Sequence, residues 1–188
     1  MVDLDAAIGR PANNRDLVTR IVAEAGLQVQ VAGGVRDEVT AAGWLDAGAA
    51  AVVMGTAAIR NPDRFASIAA GHPGRVIGAL DLRGGTPQVS GWTDSERIEF
   101  GALLAAWQEL PLAAIILTVV ERDGTFAGPD LSSLRRTLRS TRHPVYYAGG
   151  IAGLDDIRAV SKTGAAGVIV GKAIYEGRID LASAMRAG

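Results

Sequence analysis

Residues 31–59 of the chain read VAGGVRDEVTAAGWLDAGAAAVVMGTAAI, and residues 147–175 read YAGGIAGLDDIRAVSKTGAAGVIVGKAIY. The two stretches repeat one another at an offset of 116 residues, so that Gly33-Gly34 falls on Gly149-Gly150 without a gap. Each stretch has the order apolar strand, Gly-Gly, helix, Gly-Ala-Ala, strand, Gly-x-Ala. A duplicated βαβα unit of this kind is typical of a fold built from two similar halves.

The rest of the chain shows the same alternation of short, β-branched apolar runs with amphipathic helical stretches. The seven runs are Val2–Leu4, Val29–Val31, Ala51–Met54, Val76–Leu80, Ala114–Thr118, Val145–Tyr147 and Gly167–Val170. The seven helical stretches are Arg15–Ala25, Glu38–Ala47, Pro62–Ala70, Ile98–Leu110, Leu131–Ser140, Leu154–Thr163 and Leu181–Arg186. The alternation indicates a parallel sheet covered by helices, either a doubly wound open sheet or a barrel. The duplication favours an α/β fold of the (β/α)8 TIM-barrel type made of duplicated half-barrels, forming one domain over residues 1–188.

The predicted helix ends carry residues suited to them. Asn61 precedes Pro62 at the start of one helix, and Asp130 precedes Leu131 at the start of another, so both are expected N-caps. Glycine follows three other helices, at Gly26, Gly48 and Gly164, where a C-terminal stop is expected.

The repeated glycines predict phosphate binding. Gly33-Gly34 and Gly149-Gly150 follow strands, and so do Gly55-Thr56 and Gly171-Lys172. In a (β/α)8 barrel these strand ends form the face that carries the active site. Glycine lets backbone N–H groups close around an anion, and a following helix N-terminus adds about half a positive charge. Glycines also make tight βα turns without a ligand, but two sets at identical spacing favour a substrate with a phosphate at each end.

The composition excludes several other kinds of site. The chain has no cysteine, and its two histidines, His72 and His143, each precede a proline in predicted loops, so neither a metal site nor a His-based triad is expected. The net charge of −1 gives no reason to expect nucleic acid or a membrane surface as partner. No apolar run reaches the ~20 residues of a membrane span, and the start is not a signal peptide, so a cytoplasmic protein is expected.

Several motifs in order resemble the phosphoribosyl isomerase of histidine biosynthesis, especially its actinobacterial version. They are VDLDAA from Val2, GGVR from Gly33, GTAA from Gly55, DGT from Asp123 with Gly128-Pro129, and VGKAIYEG from Val170. The resemblance implies a (β/α)8 barrel without a cofactor. It also implies an Amadori rearrangement of a bis-phosphorylated aminoimidazole carboxamide ribonucleotide, which agrees with the two predicted phosphate sites. The sister cyclase of the same pathway shares the duplicated barrel but fits these motifs less well.

The resemblance also assigns catalytic residues. The reaction needs an acid to protonate the ring oxygen and a base to remove the C2 proton. Asp123 matches the family's Asp after strand 6 and is expected to be the acid, although an isolated Asp-Gly would by default be read as a turn. Thr118 matches a threonine near the reacting sugar, and Asp81 matches a supporting carboxylate.

Two further residues are expected to bind substrate. Arg36 follows the first Gly-Gly pair and would bind phosphate or carboxamide, unless it is a plain surface arginine. Trp92 matches a loop tryptophan that covers the imidazole, whereas Trp44 and Trp107 lie in predicted helices and are expected to pack in the core.

Two positions depart from the family pattern. Ser90 replaces an arginine found in members that also act on phosphoribosylanthranilate in tryptophan biosynthesis, which weakens the case for that bifunctional alternative. Val119 replaces a usual acidic residue, with no clear consequence.

Measured against this family, the chain opens on the second strand, so the first βα unit and its catalytic Asp have no counterpart. Seven strands do not close an eight-stranded barrel, and unpaired edges at Val2–Leu4 and Gly167–Val170 would invite self-association. A start codon placed too late, a real truncation and completion by another chain all remain open. Asp5 could face the pocket, but the base role is not transferred to Asp3 or Asp5.

The missing unit leaves two functional interpretations. In the first, the protein is a cofactor-independent isomerase whose activity in this form is impaired or lost. In the second, it is a catalytically silent phosphosugar-binding or interaction module that kept its phosphate sites.

Overall fold

The computed structural model describes residues 1–10, 14–89, 94–95 and 99–188. The chain divides into two compact units. Unit 1 comprises Met1–Ala79, Gln88–Ser95 and Glu109–Ala114, and unit 2 comprises Leu80–Pro87, Glu96–Gln108 and Ile115–Gly188.

Unit 1 is a parallel βα arrangement. Its elements are α1 (Leu4–Ala7), α2 (Arg15–Glu24), β1 (Gln30–Ala32), α3 (Glu38–Asp46), β2 (Ala51–Met54), α4 (Thr56–Arg60), α5 (Pro62–Gly71) and the first half of β3 (Val76–Arg83). The strands pair in chain order, with Val31 opposite Val52 and Val53 opposite Ile77. All four residues of β2 are buried, as expected for a central strand of a parallel sheet with helices on its faces.

Unit 2 repeats this parallel arrangement. After β3 the chain first forms the short antiparallel strands β4 (Thr86–Val89) and β5 (Asp94–Ser95), and β5 belongs to unit 1. The elements that follow are α6 (Phe100–Trp107), β6 (Ala114–Val119), α7 (Leu131–Ser140), β7 (Val145–Ala148), α8 (Leu154–Ser161), β8 (Gly167–Ile169), α9 (Lys172–Tyr175) and α10 (Leu181–Ala187). Strands β6, β7 and β8 pair in parallel and in chain order, with Leu117 opposite Tyr147. Parallel strands in chain order, each followed by a helix and repeated in both units, confirm the predicted α/β fold class, a truncated (β/α)8 barrel of duplicated halves.

The backbone keeps the sequence repeat in detail. Gly33 and Gly149 have φ of +99° and +110°, and Gly34 and Gly150 have +72° and +81°. Gly55 and Gly171 adopt nearly the same conformation, with φ and ψ of −109° and −93° in one and −104° and −94° in the other. Val2 pairs with Ala32, and Thr118 and Ala148, which lie 116 residues later, pair in the same way. The repeat therefore extends from the glycine turns back to the first residues of the chain.

Most helix bounds match the prediction to within a few residues, and the helix Leu131–Ser140 matches it at both ends. Asp130 caps α7 as expected, accepting hydrogen bonds from the N–H groups of Ser132 and Ser133 at 3.0 Å. Gly26, Gly48 and Gly164 all have positive φ after their helices, as predicted. Trp44 and Trp107 are buried, with 4% and 1% of their surface exposed, which confirms their packing role.

Some local predictions were wrong. The run Val2–Leu4 is not a full strand, because only Val2 bridges to β1 and the helix α1 begins at Leu4. The cause is Asp3, whose carboxylate accepts the N–H of Ala6 at 3.0 Å and so starts a helix. Asn61 does stand at the N-cap of α5 and Pro62 begins that helix, as predicted, but the Asn61 side chain accepts no cap hydrogen bond. The hairpin β4–β5 and the short helices α1, α4 and α9 were not expected.

Within the described residues, none of the helices combines the length and the apolar character needed to cross a membrane. In the same residues no cluster of three or more His, Cys, Asp or Glu side chains could hold a metal ion.

Asp3 makes the stability of unit 1 depend on pH. Its side chain is 6% exposed and accepts hydrogen bonds from the Ala6 N–H and from Asn14 Nδ2, both at 3.0 Å. The Ala6 N–H, and after it the Asn14 amide, lower the pKa of Asp3 despite the opposing effect of burial. Because the carboxyl is more acidic in the folded chain, its stabilisation is complete above the unfolded pKa of about 3.9 and is lost as the pH falls through the folded value.

We therefore expect Asp3→Asn to flatten the acid side of the stability profile. Asn can still cap the helix, so stability at pH 7 should fall by no more than about 1 kcal/mol, and the drop below pH 4 should shrink. Urea denaturation between pH 3 and pH 7 measures both quantities. An unchanged acid slope in the variant would show that Asp3 does not carry this pH dependence.

Candidate functional site

A pocket of about 180 Å³ lies in unit 2, where the loops after β6, β7 and β8 meet. Its lining residues are Asp123, Gly124, Phe126, Gly149, Gly150, Ile151, Ile169, Gly171 and Lys172. The structure thus brings together five of the residues expected to form the site, a carboxylate, a lysine and three glycines. They come from loops separated by up to 49 positions in the sequence.

The Gly149-Gly150 turn is shaped by close backbone packing. A Cβ atom on Gly149 would lie 2.9 Å from the Val119 carbonyl oxygen, and one on Gly150 would overlap the Gly128 carbonyl. The Gly128 N–H donates to the Gly150 carbonyl at 3.0 Å. Positive φ and lack of space both require glycine here. Through the hydrogen bond to Gly128 the turn also joins the loops after β6 and β7, and it lines the pocket.

Asp123 lies in the turn that follows β6. Its backbone N–H donates to the carbonyls of Val119 and Val120, both at 3.2 Å, and this holds the turn against the end of the strand. Thr125 Oγ1 closes the turn by donating to the Arg122 carbonyl at 2.7 Å. The Asp123 side chain is exposed and borders the pocket, so it can reach a bound molecule.

Lys172 supplies the positive charge at the pocket. Its Nζ donates to the Gly124 carbonyl at 3.0 Å and lies 3.7 Å from a carboxylate oxygen of Glu176. It also lies 4.8 Å from the centre of the Phe126 ring. The ammonium is therefore held beside the Asp123 loop, where it can bind an anion as a point charge.

Thr118 and Asp81 belong to the same unit but do not line this pocket. Thr118 is a buried residue near the end of β6, paired with Ala148 directly before the glycine turn. Asp81 is half-buried on β3. Their catalytic roles stay predictions.

Sequence reasoning missed the support under this site. The Asp130 N–H donates to the hydroxyl of Tyr147 at 2.7 Å, and burial raises the pKa of Tyr147 to about 12, so the phenol stays neutral. Burial by itself raises the pKa of Asp130, but the Ser133 hydroxyl and N–H and the Ser132 N–H outweigh it and lower the pKa. The pair anchors the Gly128–Asp130 loop to β7. Tyr147 is one of the two buried residues of β7, and nothing in the alternating pattern of that strand identifies its hydrogen-bond partner.

In unit 1 the matching glycines contact helix α1. A Cβ on Gly33 would overlap the Asp3 carbonyl, and one on Gly34 would lie 2.9 Å from Ala6 Cβ. Arg36 donates from Nη2 to the carbonyls of Ala6 and Ala7, at 3.1 and 3.3 Å. Arg36 thus binds the C-terminal carbonyls of α1, and its role toward a ligand stays a prediction.

The remaining residues of the expected site give a mixed result. Gly55 precedes α4, which begins at Thr56, and its conformation is close to that of Gly171. Asp5 accepts a hydrogen bond from Asn14 Nδ2 at 3.1 Å and pairs with Arg10 at 3.5 Å, contacts that the sequence did not suggest. Trp92 and Ser90 lie outside the described residues.

Comparison with known proteins extends over nearly the whole chain. Residues 1–180 match the family described as "Histidine biosynthesis protein". A relative from Solidesulfovibrio magneticus is 40% identical over 188 residues, covering 98% of this chain and 76% of the relative. Relatives from Rhodospirillum rubrum and Paracoccus denitrificans are 40% and 37% identical, covering 98% and 100% of this chain and 78% and 79% of their own lengths.

All three relatives carry the name 1-(5-phosphoribosyl)-5-((5-phosphoribosylamino)methylideneamino)imidazole-4-carboxamide isomerase. The matched residues include both copies of the glycine repeat and the Asp123 loop. On this similarity, the chain belongs to the histidine biosynthesis protein family.

Proposed function

We propose that this protein catalyses the isomerisation for which its relatives are named, an Amadori rearrangement of a bis-phosphorylated aminoimidazole carboxamide ribonucleotide in histidine biosynthesis. The observation that carries the proposal is the pocket of unit 2, which places the Asp123 carboxylate beside Lys172 and the Gly149-Gly150 turn. The identity of 40% over 98% of the chain supports the same reaction.

The chemistry is an internal transfer of hydrogen. An acid protonates the ring oxygen of the aminoaldose, the C1–O bond breaks, and the nitrogen lone pair forms a protonated imine. Loss of the C2 proton gives an enaminol. Protonation at C1 and loss of the proton from the C2 hydroxyl then give the aminoketose. C2 is oxidised and C1 is reduced within one molecule, so the atoms balance without an external oxidant.

Asp123 is the proposed acid for the ring-opening step. Its loop is fixed by backbone hydrogen bonds while its side chain stays exposed at the pocket, which suits a group that must meet the substrate and exchange protons with water. Asp81 and Thr118 are proposed to support the reacting sugar.

The phosphates are assigned to the repeated glycine turns. Gly149, Gly150, Gly171 and Lys172 would bind one phosphate, and their counterparts Gly33, Gly34, Gly55 and Thr56 would bind the other. A bis-phosphorylated substrate needs two such sites, and the repeat supplies two copies with matching backbone conformations. A cytoplasmic location, where small-molecule biosynthesis takes place, completes the proposal.

The test is turnover of the bis-phosphorylated aminoaldose, with chromatography separating substrate from the isobaric ketose. Because the relatives are longer than this chain, the assay uses the 188-residue chain and a fusion to the first βα unit of the Rhodospirillum rubrum relative. We expect ketose from the folded fusion, and a raised KM for a substrate analogue that lacks one phosphate. Absence of ketose from both folded proteins would refute the proposed function.

A further inference from the structure

Phe126 is in an unusual backbone conformation. Its φ is +58°, and among the described residues it is the only one other than glycine with a positive φ. A bulky side chain in this left-handed region is strained and persists only where the surroundings compensate. Phe126 also lines the pocket of unit 2, so its side chain is held at the candidate phosphate site.

Two cations lie over the Phe126 ring. The Lys172 ammonium is 4.8 Å and the Arg178 guanidinium 3.9 Å from the ring centre, both within the distance of a cation–π interaction. Glu176 pairs with each cation at 3.7 Å, which offsets their mutual repulsion. The group of Phe126, Lys172, Glu176 and Arg178 therefore carries a net charge of about +1 at neutral pH.

The contacts of Lys172 leave room for a ligand. An ammonium has three N–H donors; one donates to the Gly124 carbonyl at 3.0 Å, and the Glu176 carboxylate, at 3.7 Å, forms an ion pair beyond hydrogen-bond distance. The ring of Phe126 restricts the flexible side chain further without using a donor, since its attraction acts through the π face. An anion in the pocket can accept one of the remaining N–H donors.

This cation cluster is specific to the second copy of the repeat. At the same offset of 116 residues, the positions of unit 1 that match Phe126, Lys172 and Arg178 hold Arg10, Thr56 and Pro62. The glycine turns have the same conformation in both copies, so they do not explain why unit 2 has a strained Phe126. The two copies differ in the cations Lys172 and Arg178, which the ring of Phe126 contacts in unit 2.

We infer that Phe126 is a positioning residue, which holds the Lys172 ammonium at the pocket to receive a phosphate monoester dianion. The inference rests on the proposed function only in taking this pocket as one of its phosphate sites. On this inference, charge attraction contributes more to phosphate binding at the Lys172 site than at the Thr56 site. The phosphate affinity of the Lys172 site should therefore fall more steeply with salt concentration.

The experiment is a titration of the ¹⁵N-labelled 188-residue chain with inorganic phosphate, read at the amide signals of Gly149 and Gly171. We expect Phe126→Leu, which keeps the backbone strain but loses the π face, to weaken binding by about fivefold. Phe126→Tyr keeps the π face and should restore the affinity to within about twofold. Lys172→Met should weaken binding by at least about tenfold.

The double variant separates positioning from packing. If Phe126 acts through Lys172, then Phe126→Leu has no further effect in the Lys172→Met background. The matched control is Phe100→Leu, which removes a ring that Arg136 covers at 4.0 Å away from the pocket, and which should leave phosphate binding unchanged. Thermal unfolding confirms that each variant is folded before titration.

Three results would overturn the inference. The first is equal phosphate affinity in Phe126→Leu and the parent chain, and the second is a loss that persists in the Lys172→Met background. Both would leave the phosphate site itself intact. The third is that phosphate shifts neither glycine signal in the parent chain, which would also remove this pocket from the proposed function.

Discussion

Replacing Asp123 with Asn is expected to lower turnover by about 10²–10⁴-fold, the usual contribution of a general acid. Asn has nearly the same shape and can still donate a hydrogen bond, but its amide cannot deliver a proton to the ring oxygen. The backbone hydrogen bonds that hold the turn do not involve the side chain, so the loop should keep its conformation. The effect should therefore appear in kcat, with phosphate binding retained.

The measurement is steady-state turnover of the bis-phosphorylated aminoaldose by the fusion to the first βα unit of the Rhodospirillum rubrum relative, together with the phosphate titration. Asp155→Asn is the matched control, because Asp155 is 98% exposed on α8 of the same unit, where it pairs with Arg158. It should leave turnover unchanged. An Asp123→Asn protein that retains a tenth or more of the parent rate would remove Asp123 from the acid step.

Gly150→Ala should lower the free energy of unfolding by about 3 kcal/mol or more. This is a larger loss than we expect from Asp3→Asn. The methyl group would overlap the Gly128 carbonyl, and the φ of +81° adds strain for any residue with a Cβ. The Gly128 N–H also donates to the Gly150 carbonyl, so a shift that relieves the overlap breaks this hydrogen bond. We therefore expect the variant to lose the contact between the loops after β6 and β7, and to lose the pocket that these loops line.

Gly164→Ala separates the two causes. Gly164 has a similar φ of +86°, but a Cβ there would meet nothing within 4 Å. The Gly164→Ala variant should therefore lose only the free energy that the strained backbone conformation costs, about 1 kcal/mol. Urea denaturation of both variants gives the difference, which measures the overlap. Equal losses would show that the contact with Gly128 can relax.

The site was predictable where a residue's role depends on the backbone. Glycines at a fixed offset after apolar runs identify βα turns, and the turns at Gly33 and Gly149 do share their conformation. Asp130 was recognised as a cap because an N-cap is a local arrangement of a side chain and N–H groups two and three residues away.

The site was not predictable where a role depends on contacts between distant residues. Arg36 was expected at a phosphate, and its guanidinium contacts the carbonyls of α1, thirty positions earlier in the chain. Phe126 was not singled out in the sequence, yet its ring lies under Lys172 and Arg178. Thr118 and Asp81 were placed in the site by resemblance; neither lines the pocket of unit 2, and their catalytic roles stay predictions.

The sequence alone was enough to predict the parallel βα architecture, the duplicated glycine turns and the family. Hydrophobic period, turn chemistry and ordered motifs are properties of neighbouring residues, so they can be read without the structure. Only the tertiary structure decided which of the predicted residues meet in one pocket, that the first apolar run gives way to a capped helix at Asp3, and that an aromatic ring lies beside the lysine. The physical reason is that side-chain contacts across loops depend on how strands and helices pack, and packing joins residues that no local pattern connects.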